Sequence, residues 1–301
     1  MPALYLPANV RNGVGRTPDG AAWLSRLPGL VTRSAQRWGL VLGRPFESGA
    51  SGWTAPARDA GGRDVVLKIV FPHDEARDEA AGLRAWHGRG TPTLLDHDPD
   101  DWALLLERVR PGTALAGSAV DQLAIGARVA RTLHESVGTT ALAVASMADV
   151  CAGWADQLDR RAGRHGIDVR AAADLLRTLP SEVAGVVVHG DLNPGNILRS
   201  GADRWVAIDP KPMRGDPAFD LWPLLEQVDD PFVHEDGVLA ERVDLVAAVL
   251  GLDPWRIAAW GVARATESAM WMWDVLGDER AGRQGLDQAR TWARVAGRTR
   301  S

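Results

Sequence analysis

The stretch Val186–Pro217, VVVHGDLNPGNILRSGADRWVAIDPKPMRGDP, holds two short apolar runs that each end in an acidic loop. Val186 to Val188 has the composition of a buried strand and delivers His189, Gly190 and Asp191. Asn196 follows five residues after Asp191. A second run, Trp205 to Ile208, delivers Asp209, thirteen residues after Asn196. Two strands therefore bring two carboxylates and a carboxamide to loop ends, where ligands usually meet a sheet. Phosphoryl transfer needs this set: one carboxylate to orient and deprotonate a hydroxyl, and an oxygen ligand plus a second carboxylate to hold Mg²⁺.

With 301 residues, the chain is long enough for two lobes, each with its own core. Its 46% apolar and 24% charged content is that of a soluble globular protein, and no window is apolar enough for a membrane span. The N-terminus lacks the basic-then-apolar pattern of a secretory signal. A single cysteine, Cys151, makes neither an intrachain disulfide nor a thiolate cluster, so a cytoplasmic protein is expected. The net charge of −5 argues against nucleic acid as a partner. Acid is concentrated between Asp209 and Asp244, with ten Asp or Glu against three Lys or Arg. Beside an Mg²⁺ site such a segment favours a cationic small molecule; a solvated acidic face is the plainer reading.

Residues 1–18 read as irregular. Trp23, Leu24, Leu27, Leu30, Val31, Ala35 and Trp38 recur at helical spacing, with Pro28-Gly29 predicting a break into two short helices. Phe46–Ala55 reads as strand, small-residue turn, strand, and Ser51 in that turn is a candidate phosphate contact through backbone amides. In Val65–Phe71 one lysine, Lys68, interrupts an apolar strand, which is unfavourable unless its ammonium is paired. The helix predicted over His73–His87 offers Glu75 or Glu79 as that partner; Glu79 is preferred because it lies beside the apolar face. Two more strands, Leu94–His97 and Trp102–Val109, precede the break Arg110–Thr113, after which the pattern turns helical. The expected fold is α+β and two-lobed: an antiparallel-sheet lobe with one main helix over 1–109, and a mostly helical lobe over 110–301. An adenine at the hinge would bond the backbone of Glu107 to Val109.

In the second lobe, Ser118–Glu135 reads as a helix with His134 on an inward or interhelix face. Asp216 has the position of an N-cap, and Asp220, one turn on, is placed to support the catalytic loop. Asp216, Asp220 and Glu226 are candidate substrate carboxylates. Glu267, Trp271 and Asp274 form a helix face suited to an organic cation, with a buried tryptophan stripe as the alternative.

Taken together, VVHGDLNPGNIL, WVAIDPKPMRGDPAFDLWPLL, LKIVFP and ALLLERVRPGTAL resemble the aminoglycoside phosphotransferases of the protein-kinase-like fold, over about residues 20–275. Within them the chain is most similar to the streptomycin 6-phosphotransferase and hydroxyurea phosphotransferase group. The resemblance implies Asp191 as catalytic base, Asn196 and Asp209 as Mg²⁺ ligands, and Lys68 with Glu79 as the ion pair holding the ATP phosphates. It implies phosphorylation of a hydroxyl on streptomycin, whose guanidino-bearing ring fits the acidic segment. Position 193 is Asn where many relatives carry His, and the nucleotide loop lacks a full glycine pattern. A kinase of hydroxyurea, a sugar or another metabolite is the near alternative, and a catalytically silent nucleotide-binding protein the distant one. A monomer is expected, with a dimer as the alternative.

Overall fold

The computed structural model describes residues 4–14, 18–47, 49, 51–137, 142–181, 185–229 and 235–299. A short helix α1 (Ala8–Asn12) stands in the stretch expected to be irregular, followed by α2 (Pro18–Arg37). Five strands then form an antiparallel sheet: β1 (Val41–Leu42), β2 (Gly52–Arg58), β3 (Asp64–Val70), β4 (Leu94–Asp98) and β5 (Ala103–Glu107), in the order β1-β2-β3-β5-β4. Helix α3 (Glu79–Trp86) lies between β3 and β4 in sequence.

The central strand β3 reads as nearly all apolar because both of its faces are covered. Leu67 and Ile69 point to one face, where they pack with Trp53, Ala55 and Ala103 against Trp23, Leu27 and Val31 of α2. The alternate residues Val66 and Val70 point to the other face, with Leu83 of α3 and with Leu104 and Leu106 of β5. Lys68 shares the parity of Val66 and Val70, so the strand aims its ammonium at α3.

Two expectations change here. Helix α2 runs unbroken through Pro28, because Trp23, Leu27 and Val31 bury one continuous face across the proline. The carbonyl of Pro28 also accepts a bond from Thr32 Oγ1 at 2.8 Å. The helix expected over 73–87 becomes a 3-10 turn, Asp74–Ala76, followed by α3 alone. Of the small-residue turn, Ser48 and Ala50 lie outside the described residues, and Phe46 joins no strand although its N–H bonds Thr54 O at 2.9 Å.

Beyond β6 (Pro111–Ala114) the chain is mostly helical: α4 (Ala119–Ser136), then, after β7 (Ala145–Ser146), α5 (Met147–His165) and α6 (Arg170–Thr178). Strands β8 (Val186–Val188), β9 (Ile197–Ser200), β10 (Trp205–Ala207) and β11 (Met213–Gly215) follow, and then α7 (Leu221–Gln227), α8 (Asp236–Leu250), α9 (Pro254–Asp274) and α10 (Glu279–Thr299). Ser118, Ser146 and Asp253 accept backbone N–H bonds at the starts of α4, α5 and α9, as good N-caps do. The four strands serve to hold loops. β9 pairs with β10 and β6, while β11 lies between β8 and β7. β8 thereby delivers His189–Asp191, and β10 delivers Asp209.

The largest apolar cluster joins α4 to α10 and includes Trp86 from α3, whose Nε1–H donates to Leu133 O of α4 at 3.2 Å. Smaller clusters fill the two faces of the five-stranded sheet. Helices α9 and α10 pack through glycine: a Cβ at Gly261 would lie 2.2 Å from the Trp292 ring, and one at Gly282 would lie 2.6 Å from Trp273. Both Gly261 and Trp292 are fully interior, so there is nowhere for the indole to retreat. Gly261→Ala should therefore destabilise the fold by about 1–3 kcal/mol and lower its melting temperature by several degrees. Scanning calorimetry checks this; an unaltered melting temperature would contradict the seam.

Candidate active site

The Lys68 ammonium sits 2.5 Å from Glu79 Oε1 and also donates to Asp209 Oδ1. Three distant pieces of sequence meet at this one charge: the middle of β3, the first turn of α3 and the loop after β10. Lys68 and Glu79 are buried. Burial opposes the Lys68 charge, but Asp209 and Glu79 outweigh it and hold the ammonium above its usual pKa. Burial pushes the Glu79 carboxyl up to about 7 in spite of Lys68. Attraction by Lys68 keeps Asp209 below the usual carboxylate range. Asp209 adopts φ 59°, a left-handed conformation that Asp tolerates better than most residues.

This cluster closes one end of a cleft of about 370 Å³, within the usual range for small-molecule sites. Ser51, Glu107, Val109, Asn196 and Asp209 line it, along with the apolar Val66, Leu83 and Leu106. The structure thus places every expected nucleotide residue on one cavity. Glu107 turns its carboxylate to Thr93, whose hydroxyl donates to Oε2 at 2.8 Å, so its side chain shapes the hinge.

Asp191 stands beside the cleft and is joined to it through Asn196. Asn196 Nδ2 donates to Asp191 O at 2.9 Å and to Asp191 Oδ2 at 3.3 Å. Asn193 Nδ2 donates to Asp191 Oδ1 at 3.0 Å, while its own Oδ1 accepts from Asn196 N–H at 3.2 Å. Asn193 is therefore a working part of the loop. Asp209 Oδ2 and Asn196 Oδ1 accept no hydrogen bond from any described residue, although both residues line the cleft. A carboxylate and a carboxamide oxygen left open in this way suit a hard cation such as Mg²⁺.

The loop is braced from behind. Asp220 is fully buried and accepts from His189 N–H at 2.8 Å, Gly190 N–H at 2.7 Å and His134 Nε2 at 2.8 Å. Burial opposes its charge, but the bond from His134 and the backbone donors hold it below the usual carboxylate range. His189 accepts Asp191 N–H at Nδ1 (3.3 Å), which leaves Nε2–H to donate to Ile208 O (3.1 Å). Burial lowers its pKa, and through these two bonds it ties the Asp191 loop to the Asp209 loop. Its ring also stacks on Trp86, with centroids 6.4 Å apart. Gly190 has φ 85°, and a Cβ there would lie 2.1 Å from Lys211 O; only glycine fits.

The expected substrate carboxylates are corrected by burial. Asp216 is fully buried and bonds Arg256 Nε and Trp260 Nε1, each at 2.6 Å, so no ligand reaches it. Asp220 acts on the loop backbone, as its support and not as a substrate contact. Glu226 is half-buried, accepts from Trp292 Nε1 at 3.0 Å, and burial raises its carboxyl to about 7. Glu267 is held by Arg161 at 3.1 Å and Arg264 at 3.4 Å, and Asp274 by Arg164 and His165. Trp271 alone of that helix face is exposed. Elsewhere in the acidic segment, Asp229 pairs with Arg242 and Asp236 with Arg294, so part of its charge is matched. Lys211, which the sequence reading passed over, lies 3.3 Å from Asp191 Oδ2.

A family model described as aminoglycoside/hydroxyurea antibiotic resistance kinase matches residues 37–276. The chain belongs to that family. It is 35% identical over 269 residues to a streptomycin 6-kinase of Streptomyces glaucescens, covering 84% of this chain and 85% of that protein. It is 33% identical over 278 residues to a hydroxyurea phosphotransferase of Kitasatospora aureofaciens, covering 90% and 79%. Among solved structures, a choline kinase from Streptococcus pneumoniae superposes with a TM-score of 0.64 at 15% identity, covering 91% of this chain and 99% of that one. An aminoglycoside phosphotransferase in complex with AMP-PNP and hygromycin B gives 0.63 at 14% identity, covering 88% and 97%. The fold is protein-kinase-like.

Because native Glu79 titrates near 7 against an ordinary 4.5, the folded state binds the extra proton in that window. Stability of the nucleotide-free protein therefore falls as pH rises from about 4.5 to about 7. Glu79→Gln cannot titrate and should flatten that slope. Melting curves of both proteins from pH 5 to 8 measure it; parallel slopes would count against the buried carboxyl as the cause.

Proposed function

We propose that this family member transfers the γ-phosphoryl group of ATP, with Mg²⁺, to a hydroxyl of an aminoglycoside, the 6-hydroxyl of streptomycin being the leading acceptor. The observation that carries the chemistry is the meeting of Lys68, Glu79 and Asp209 on the cleft, with Asp191 joined to the same cleft through Asn196. The similarity to streptomycin 6-kinases supports the acceptor. The family's other printed substrate, hydroxyurea, is the second reading, since that relative is almost as similar over more of the chain.

In this reading residues 1–109 hold the nucleotide and residues 110–301 supply the base and the acceptor site. The adenine lies among Val66, Leu83, Leu106 and the hinge backbone of Glu107 to Val109, with its phosphates toward Lys68 and Ser51. Glu79 fixes Lys68 so that its ammonium meets the phosphates without reorganising. Asn196 and Asp209 would hold Mg²⁺, whose charge offsets that of the phosphate oxygens. Asp191 aligns the acceptor hydroxyl for in-line attack and takes its proton. Such consumption of ATP fits the cytoplasmic placement.

Asp191→Ala should lower turnover on the order of 10²–10⁴-fold while nucleotide affinity is nearly kept, as for loss of a base alone. Asp209→Ala should lose Mg²⁺-dependent ATP binding in calorimetry. Near-wild-type turnover in the first variant, or unaltered Mg·ATP affinity in the second, would refute the respective role. The acceptor is tested by ATP consumption over streptomycin, other aminoglycosides, hydroxyurea and simple sugars. Streptomycin-dependent consumption, with phosphate on its 6-hydroxyl, is expected; consumption with hydroxyurea alone would reverse the order of the two readings.

A further inference from the structure

The chain has thirty-four basic residues, and only two of them are lysines: Lys68 and Lys211. Every other basic position is arginine, yet both lysines stand at the candidate active site. Arginine presents a rigid fork to one partner, whereas lysine is a compact point charge on a flexible stem that can pass between partners.

We propose that Lys211 is a catalytic residue whose ammonium passes from Asp191 to the phosphoryl group in transfer, neutralising it and freeing the base. The proposal rests on the phosphotransferase reading and assigns a second cation to it. Lys211 Nζ lies 3.3 Å from Asp191 Oδ2 and 3.7 Å from Glu75 Oε2. Asp209 also faces it closely enough to favour its charge. It therefore lies near both the candidate base and the candidate metal carboxylate, the two groups the phosphoryl group has to meet.

Three donors reach the Asp191 carboxylate in this structure, two of them at Oδ2, of about four acceptor positions. Asn193 donates to Oδ1, and Asn196 and Lys211 donate to Oδ2. Departure of one donor from Oδ2 makes that oxygen available to the proton of an acceptor hydroxyl. The two asparagines are fixed, Asn193 by Asn196 N–H and Asn196 by Asp191 O. Lys211 is anchored at its root, where its N–H donates to His189 O at 2.7 Å, while its side chain, 29% exposed, is held by the longer contacts to Asp191 and Glu75. The stem can swing off those contacts while the root keeps register with the loop. Moreover, the loop segment Gly190–Ile197 carries no cation of its own, and the nucleotide turn lacks a full glycine pattern. Charge on the outer phosphate then falls to Lys68, the metal and Lys211.

In the step itself the acceptor oxygen forms a bond to γ-phosphorus and the bond from γ-phosphorus to the bridging oxygen breaks. ADP leaves with that electron pair, and the hydroxyl proton goes to Asp191 Oδ2. Lys211 keeps its proton throughout and contacts the transferred oxygens.

Calorimetry of Mg·ADP and Mg·AMP-PNP binding to the wild type, Lys211→Met and Lys211→Arg isolates the third phosphate. Lys211→Met should bind Mg·ADP within about twofold of the wild type and Mg·AMP-PNP about tenfold more weakly, as for loss of one charge-assisted hydrogen bond. Lys211→Arg should recover most of that loss. Turnover of Lys211→Met, with whichever acceptor the wild type phosphorylates, should fall on the order of 10²-fold, with KM for the acceptor kept. Equal weakening toward both nucleotides would make Lys211 a structural latch and overturn the proposal, as would full retention of AMP-PNP affinity. A wild type that binds neither nucleotide would overturn the phosphotransferase reading beneath it.

Discussion

A buried ammonium held by two carboxylates is the constraint on which the rest of the molecule depends. Lys68 cannot lie inside a strand packed on both faces unless its charge is met there. Glu79 meets it from α3 and Asp209 from the loop after β10. The requirement therefore fixes where α3 docks and draws residues of the helical part onto the sheet. Gly82 lets that approach be close, since a Cβ there would lie 2.7 Å from Pro212. The cleft is the space left over once these three elements have converged.

A second network, polar and buried, holds the catalytic loop. Asp220 grips two successive backbone N–H groups, and His134 fills the remaining side of its carboxylate. His189 then links the Asp191 loop to the carbonyl of Ile208, next to Asp209. The candidate base and the candidate metal ligand are thus linked to one another through one imidazole. Satisfied networks of this kind are rigid because each member left alone would be expensive to bury.

Much of this was legible in the sequence. A lysine in an apolar strand announced a buried partner, and Asp191, Asn196 and Asp209 announced themselves by spacing at the ends of apolar runs. The position of Asp220, one turn after the N-cap Asp216, pointed to support of the loop. What misled was unpaired acidity. A run of carboxylates looks like a surface for cations only while the matching guanidinium groups are unseen. Arg256, Arg294 and Arg161 come from helices far along the chain, and no local pattern reveals them. Helix α2 shows the same limit, since a proline's local preference yields to a face buried on the sheet. The scarcity of lysine was in plain view, but Lys211 lies in a loop between two prolines, where the cost argument made for Lys68 has no hold.

The stacking of Trp86 on His189 ties α3 to the catalytic loop from behind, and the indole N–H is fastened to α4. The helix that presents Glu79 is consequently clamped at both ends, to Lys68 at its start and to the loop at its finish. In protein kinases, seating the equivalent ion pair is a regulated event. Here it is already seated in the bare chain. The cation meant for the phosphates is thus in place before any nucleotide arrives, so binding need not first assemble it.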